Sequence, residues 1–221
     1  MKLSNETLNV LKNFASINSG MEFKAGKKIA TISSTKTVLA KATLKDDFPQ
    51  DFCVYDLNQF LSVHSLGKDT ELDFDASNVI FKSGRSKIKY RMTAKNMIVT
   101  APEKDIVLTN PEVTFTLKEE DLQSALKAAS VLQSPNIAIE SDGTKILVTA
   151  FNAKDDAAHV NSIDVGDGNG NVFKAVFLTE NLKMIPGTYD VQISSKGLAS
   201  FSNANEEIDY WIAIEAKESS F

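Results

Sequence analysis

Cys53, His64 and His159 are the only cysteine and histidines in the chain, the residue types that most often do covalent, acid–base or metal chemistry. None has the company such chemistry requires. Cys53 lies in the apolar run Phe52-Cys53-Val54-Tyr55, where a thiol packs as a small hydrophobe and is a poor nucleophile. Neither histidine stands in a cluster of Cys, His or carboxylates at ligand spacing, so no metal site is expected. The glycine-dense stretch Gly166-Asp167-Gly168-Asn169-Gly170-Asn171 lacks the Lys-Ser/Thr pair of a phosphate loop. It also lacks the spaced acids and closing Glu of a calcium loop, so a hairpin loop is expected there. No cofactor is implied. What remains is charge: a lysine ammonium on its flexible stem neutralises phosphate without demanding one geometry.

The lysines must be positioned by local structure, and that structure repeats. Thr100 to Pro111 carries a proline near each end and little periodicity, so it reads as an extended connector at the midpoint, dividing domains 1–108 and 109–221. Each half opens on a helix. In the first, Ser4 caps, with Thr7 at the box position, and Leu8, Leu11 and Ala15 form an apolar stripe. In the second, Glu119, Glu120 and Asp121 complement the helix dipole, and Leu122, Leu126 and Ala129 form the stripe. Strands are expected at 21–24, 28–33 and 37–44, matched by 137–140, 145–151 and 159–165. A strand-then-helix run follows in each half, 53–61 and 175–183, with Asp56 and Thr179 as caps and Pro186-Gly187 as a stop. Strands at 70–75, 79–82, 87–93 and 97–100 close the first half; 188–194, 199–202 and 208–216 close the second. The fold class is α+β, with each sheet burying its apolar side against helices.

The chain has 24 Lys and Arg against 29 Asp and Glu, a net charge of −5. That total hides an asymmetry: residues 1–108 hold 16 basic and 12 acidic side chains, and residues 109–221 hold 8 and 17. Lys12 is on the first helix, Lys118 and Lys127 on its counterpart, Lys183 on the fourth, Lys68 just past the second, and Lys2 ahead of the first. Lys12 and Lys127 occupy matching places in the repeat. Screening confines each charge to about 8 Å at physiological salt, so a basic face attracts a polyanion even on an acidic chain. No apolar run reaches the roughly 18 residues of a membrane span, and the N-terminus lacks the regions of a secretory signal, so a cytoplasmic protein is expected.

Beyond these patterns, particular residues resemble a known family. Met1-Lys2-Leu3-Ser4 through Leu11-Lys12-Asn13-Phe14-Ala15-Ser16-Ile17-Asn18-Ser19-Gly20 resembles the N-terminus of the T4-type bacteriophage sliding clamps. Tyr55-Asp56-Leu57-Asn58 with Phe60-Leu61, Lys118-Glu119-Glu120-Asp121-Leu122-Gln123, Met184 with Pro186-Gly187, and Ala213-Ile214-Glu215-Ala216 ending in Phe221 resemble it at corresponding points. The resemblance implies two processivity-fold domains per chain, with helices lining the pore and sheets outside in a homotrimeric ring. It implies a non-enzymatic clamp that encircles duplex DNA without reading sequence and tethers the phage DNA polymerase. Loading by a clamp-loader ATPase, service to other DNA-acting partners and to late transcription, and residence in the infected bacterial host's cytoplasm are implied with it. The pore residues would be Lys12, Lys127, Lys118, Lys183, Lys68 and Lys2. Partner peptides would dock near Ile106, Val107 and Leu108, and near Tyr210, Trp211 and Ile212. The competing reading is a symmetric structural or scaffold protein of a phage that never touches DNA; a polymerase processivity assay separates the two.

Overall fold

Ser4 starts the first helix, α1 (Asn5–Ile17), in the computed structural model, which describes residues 1–104 and 106–221. The Ser4 hydroxyl oxygen accepts the Thr7 N–H at 3.2 Å, while Asp46 accepts both the Ser4 N–H at 2.7 Å and the Ser4 Oγ–H at 2.8 Å. Burial pushes the Asp46 carboxyl up, but the hydrogen bonds from Ser4 outweigh it and hold it below the usual carboxylate range. A depressed folded-state pKa stabilises above the unfolded value of about 4 and is lost as pH falls through the folded one. Asp46→Asn is therefore expected to flatten the acid limb of the stability curve below about pH 5, measured by denaturant melts at stepped pH. An unchanged acid limb would count against this cap.

The buried face of α1 is Thr7, Val10, Leu11, Phe14 and Ala15, broader than the stripe expected from leucines alone, and Leu8 is only half-buried. A helix lying over a sheet buries a wide arc, which brings Val10 and Phe14 inward. Beneath it are β1 (Met21–Phe23), β2 (Gly26–Ile32), β3 (Val38–Phe48) and β4 (Phe52–Val54), in the order β4-β1-β2-β3. Asp56 caps α2 (Leu57–Ser65) by accepting the Gln59 N–H at 3.1 Å. The antiparallel sheet β5 (Glu71–Phe74), β6 (Asn78–Ser83) and β7 (Ser86–Arg91) follows. The core of this unit is aromatic: Phe23 stacks on Phe52 at 4.4 Å, and Phe60 meets Phe81 edge-on at 5.0 Å.

The second unit runs β8 (Val113–Leu117), α3 (Glu119–Leu132), β9 (Asn136–Asp142), β10 (Lys145–Phe151), β11 (Asn161–Asp167) and β12 (Val172–Leu178). It ends with β13 (Tyr189–Ser194), β14 (Leu198–Asn203) and β15 (Ile208–Ala213). Its strands order as β12-β9-β10-β11 and β13-β14-β15, the same plan as the first unit. The repeat extends to a strand that was not among those expected, although Val113-Thr114-Phe115-Thr116-Leu117 alternates. β8 pairs with β13, Leu117 opposite Tyr189, and the N-terminus does the same in the first unit: Leu72 donates to the Met1 carbonyl at 2.7 Å and Lys2 bridges to Glu71.

Several expectations are corrected. The fourth helix is only a 3-10 turn, Thr179–Asn181. Beyond it Leu182 and Met184 are buried with Lys183 exposed between them, an alternation no α-helix supplies. The strand expected at 97–100 is a 3-10 turn, Lys95–Met97, continued as a strap. Side chains rather than a ladder hold that strap: the Asn18 amide donates to the Val99 carbonyl at 3.0 Å, and Ile98 packs where a Cβ on Gly20 would come within 2.7 Å of it. Compact units are Met1–Lys104 and Asp105–Phe221, dividing a little before the position 108 suggested by the connector. No helix among the described residues is long and apolar enough to cross a membrane.

Candidate nucleic-acid interface

Lys12 follows buried Val10 by two residues and precedes buried Phe14 by two; Lys127 stands in the same relation to buried Ala125 and Ala129. Two residues turn roughly 200° around a helix, so each lysine projects from the side opposite its sheet. Both are exposed, and neither forms an ion pair among the described residues. Each unit thus presents one unpaired ammonium from the equivalent place on its repeated helix. On α2, burial pushes the His64 imidazole down, and Lys12 adds to the shift, so His64 contributes no further charge near neutrality.

The remaining expected cations do not share this placement. Lys118 is the N-cap residue of α3, where its charge is outnumbered by Glu119, Glu120 and Asp121 in the first turn. Lys183 is exposed but belongs to no helix. Lys68 is exposed just beyond α2, and Lys2 reaches Asp69 at 3.8 Å, an exposed pair that contributes little. A denser basic feature was not expected from the sequence: Lys82, Arg85, Lys87, Lys89 and Arg91 crowd the β6–β7 hairpin, all exposed. Lys87, Lys89 and Arg91 share one face of β7, which ends its sheet, while Ile88 and Tyr90 turn to the other. The alternation Lys-x-Lys-x-Arg was the available signal. In the second unit, β11, which ends its own sheet, carries Asp164 and Asp167.

Of the expected docking residues, Val107 is 75% exposed and Ile106, Leu108 and Trp211 are half-buried. Tyr210 and Ile212 are 0% exposed, so those two are core rather than docking positions. Alternation along β15 turns both inward with Ile208. The Tyr210 hydroxyl accepts the Ile185 N–H at 3.1 Å, and the Tyr189 hydroxyl donates to the Ile185 carbonyl. Burial pushes both phenols up, Tyr189 to about 12.

Cys53 is buried, and burial pushes its thiol up, away from thiolate chemistry. It borders a cavity of about 590 Å³ with Glu22, Lys24, Asp51, Arg91 and Lys95. There burial pushes Glu22 up, but Lys95 at 2.8 Å and Lys24 at 3.0 Å outweigh it and keep the carboxylate charged. This is a structural ion network. Among the described residues no group of three or more His, Cys, Asp or Glu side chains is placed to hold a metal.

A helix-and-sheet unit built twice, with a lysine shown from the same point of each repeated helix, has the architecture of a DNA clamp. Solved structures agree on the fold. Proliferating cellular nuclear antigen from Entamoeba histolytica superposes with a TM-score of 0.69 at 12% identity, covering 95% of each chain. The Helicobacter pylori beta clamp, solved with a DNA ligase peptide, gives 0.71 at 11% identity over 97% of this chain and 65% of that one. Residues 4–100 match the family described as DNA polymerase processivity factor, and residues 114–216 match the C-terminal domain of the gp45 sliding clamp. The sliding clamp of Vibrio phage KVP40 is 36% identical over 98% of this chain and 100% of its own. Those of Enterobacteria phage T4 and Escherichia phage RB69 are 35% and 36% identical, each over 98% of this chain and 97% of theirs. The chain belongs to the sliding-clamp family of T4-type phages, the processivity factors of DNA polymerase.

Proposed function

We propose that three copies join head to tail into a ring around duplex DNA, that Lys12 and Lys127 face its phosphates, and that the ring tethers the phage polymerase without catalysis of its own. The observation that carries this is the matched presentation of those two lysines from repeated helices. Lysines without a geometric demand neutralise phosphates in any register, so the ring slides; retention comes from closure, since a few phosphate contacts bind weakly and salt-sensitively. A clamp-loader ATPase would open the ring onto DNA in the infected bacterium's cytoplasm. Lys118, Lys183, Lys68 and Lys2 are peripheral contributors in this reading. Val107 with its half-buried neighbours Ile106 and Leu108, and Trp211, remain the proposed landing points for apolar partner peptides, including factors of late transcription. The test is primer extension on a long singly primed template with loader and ATP: products should lengthen only when this chain is present. Unchanged product length would favour the scaffold reading.

Ring closure has support in the two edges. A basic edge, β7, and an acidic edge, β11, on one chain are complementary to each other but not to themselves. Such heterologous contacts do not make two-fold dimers, and they generate a ring when the rotation closes. Lys87→Glu with Lys89→Glu is expected to lower the native mass from about three chains to one of 24.2 kDa, and adding Asp164→Lys with Asp167→Lys to the same chain to restore assembly. Native mass spectrometry reads both. An intact trimer in the first variant would remove this pairing.

A further inference from the structure

The helix faces turned from the sheets are nearly neutral. On α1, Asn5, Asn9, Lys12 and Ser16 follow at i, i+4, i+7 and i+11, all exposed. The same spacing on α3 gives Glu120, Ser124, Lys127 and Val131, again all exposed, and α2 shows Asn58, Ser62 and Ser65. The first unit's stripes carry one lysine and the second unit's carries one lysine and one glutamate, too little charge on either for a purely electrostatic track. Ser16, Ser62 and Ser65 donate to backbone carbonyls of their own helices, and the other polar side chains stay open to a ligand. Asn5, Asn9 and Ser124 and the Asn58 amide have no hydrogen-bond partner among the described residues. Some asparagines in turns are bonded, Asn78 to Asp75, Asn152 to the Lys154 N–H and Asn203 to the Asn205 and Glu206 N–H groups, while exposed Asn96, Asn110 and Asn169 are as open as those on the helices. Asparagine is a poor helix former, so Asn9 inside α1 costs helix stability and caps nothing.

We propose that the helix faces hold duplex DNA mainly by neutral hydrogen bonding, with Asn5, Asn9, Asn58 and Ser124 donating to phosphate oxygens directly or through one water. Lys12 and Lys127 supply attraction at range. This rests on the helices being the DNA-facing surface. Amide and hydroxyl donors position a backbone without carrying sequence information, and they displace no counterion, so their share of the affinity is insensitive to salt. Single neutral bonds to phosphate exchange readily with water, which suits a contact that must move along the duplex.

The intact clamp, titrated with a short blunt duplex, tests this in one experiment. Side-chain amide NMR signals of Asn5, Asn9 and Asn58 are expected to shift, and to keep shifting at saturating duplex when salt is raised. Anisotropy titrations should show Asn5→Ala/Asn9→Ala/Ser124→Ala binding about two- to fivefold more weakly by the same factor at every salt concentration. Lys12→Ala/Lys127→Ala should instead flatten the salt dependence, by about 0.9 in log–log slope for each phosphate no longer neutralised. Parental affinity in the asparagine–serine variant, or amide signals that stay still, overturns the proposal. If the duplex shifts the β6–β7 hairpin and leaves all three helices unmoved, the assignment of the DNA-facing surface itself fails, a distinct result in the same spectra.

Discussion

Lys12→Glu combined with Lys127→Glu is expected to shorten the products of clamp-dependent synthesis at least tenfold while leaving the protein folded. Each substitution removes a positive charge and adds a negative one at an exposed site opposite the core, so packing is untouched and stability should move by less than about 0.5 kcal/mol per site. A charge pair at contact distance in water interacts by about 1 kcal/mol. Reversal at two sites in every subunit converts several attractions into repulsions, more than the roughly 1.4 kcal/mol that a tenfold effect requires. Raising salt should narrow the gap between parent and variant, because exposed charges are screened within about 8 Å. Removing the Lys12 charge also lifts part of the downward push on His64, whose titration should move to higher pH, an independent sign that the local geometry survives. Product lengths equal to the parent's would refute the role of these two lysines.

Phe60→Ala is expected to destabilise the first unit by about 3–5 kcal/mol. Phe60 is 0% exposed on α2, and its ring stands 5.0 Å from Phe81 and 5.6 Å from Tyr90, with Phe23 at 6.0 Å and Phe52 at 6.5 Å. Those neighbours belong to β6, β7, β1 and β4, so one side chain joins both sheets of the unit through the helix between them. Truncation removes the ring's transfer energy and leaves a cavity that neighbours on two sheets cannot both collapse into. Against a typical domain stability of about 5–15 kcal/mol, the loss is a large fraction of the total. Urea melts followed by circular dichroism read it, and a change under about 1 kcal/mol would show that the two sheets do not depend on this ring.

Much of the local plan was legible because its causes are local. Ser4 and Asp56 cap the helices they were expected to cap, and β10 spans the residues its alternation marked. The repeated strand order appears as one topology built twice, although the second half lacks the expected second helix. Other features were hidden because their causes lie far along the chain. β8 exists because β13 offers an edge, and Met1 and Lys2 join β5 for the same reason. Tyr210 and Ile212 looked available in an apolar run, but alternation along β15 turns them into the core. The fourth helix failed because Leu182 and Met184 both had to be buried.

The sequence by itself determined the duplicated strand plan, the starts of α1, α2 and α3 and the equivalence of Lys12 with Lys127, because caps, periodicity and repeat spacing act over a few residues, whereas Thr179 caps no helix. Only the tertiary structure decided which strands are edges, and hence that Lys87, Lys89 and Arg91 line one edge and Asp164 and Asp167 another. It also decided which polar side chains on the helices are left without partners. Edges and unmet hydrogen bonds are defined by what lies beside a residue in space, and those neighbours come from chain segments tens of residues away.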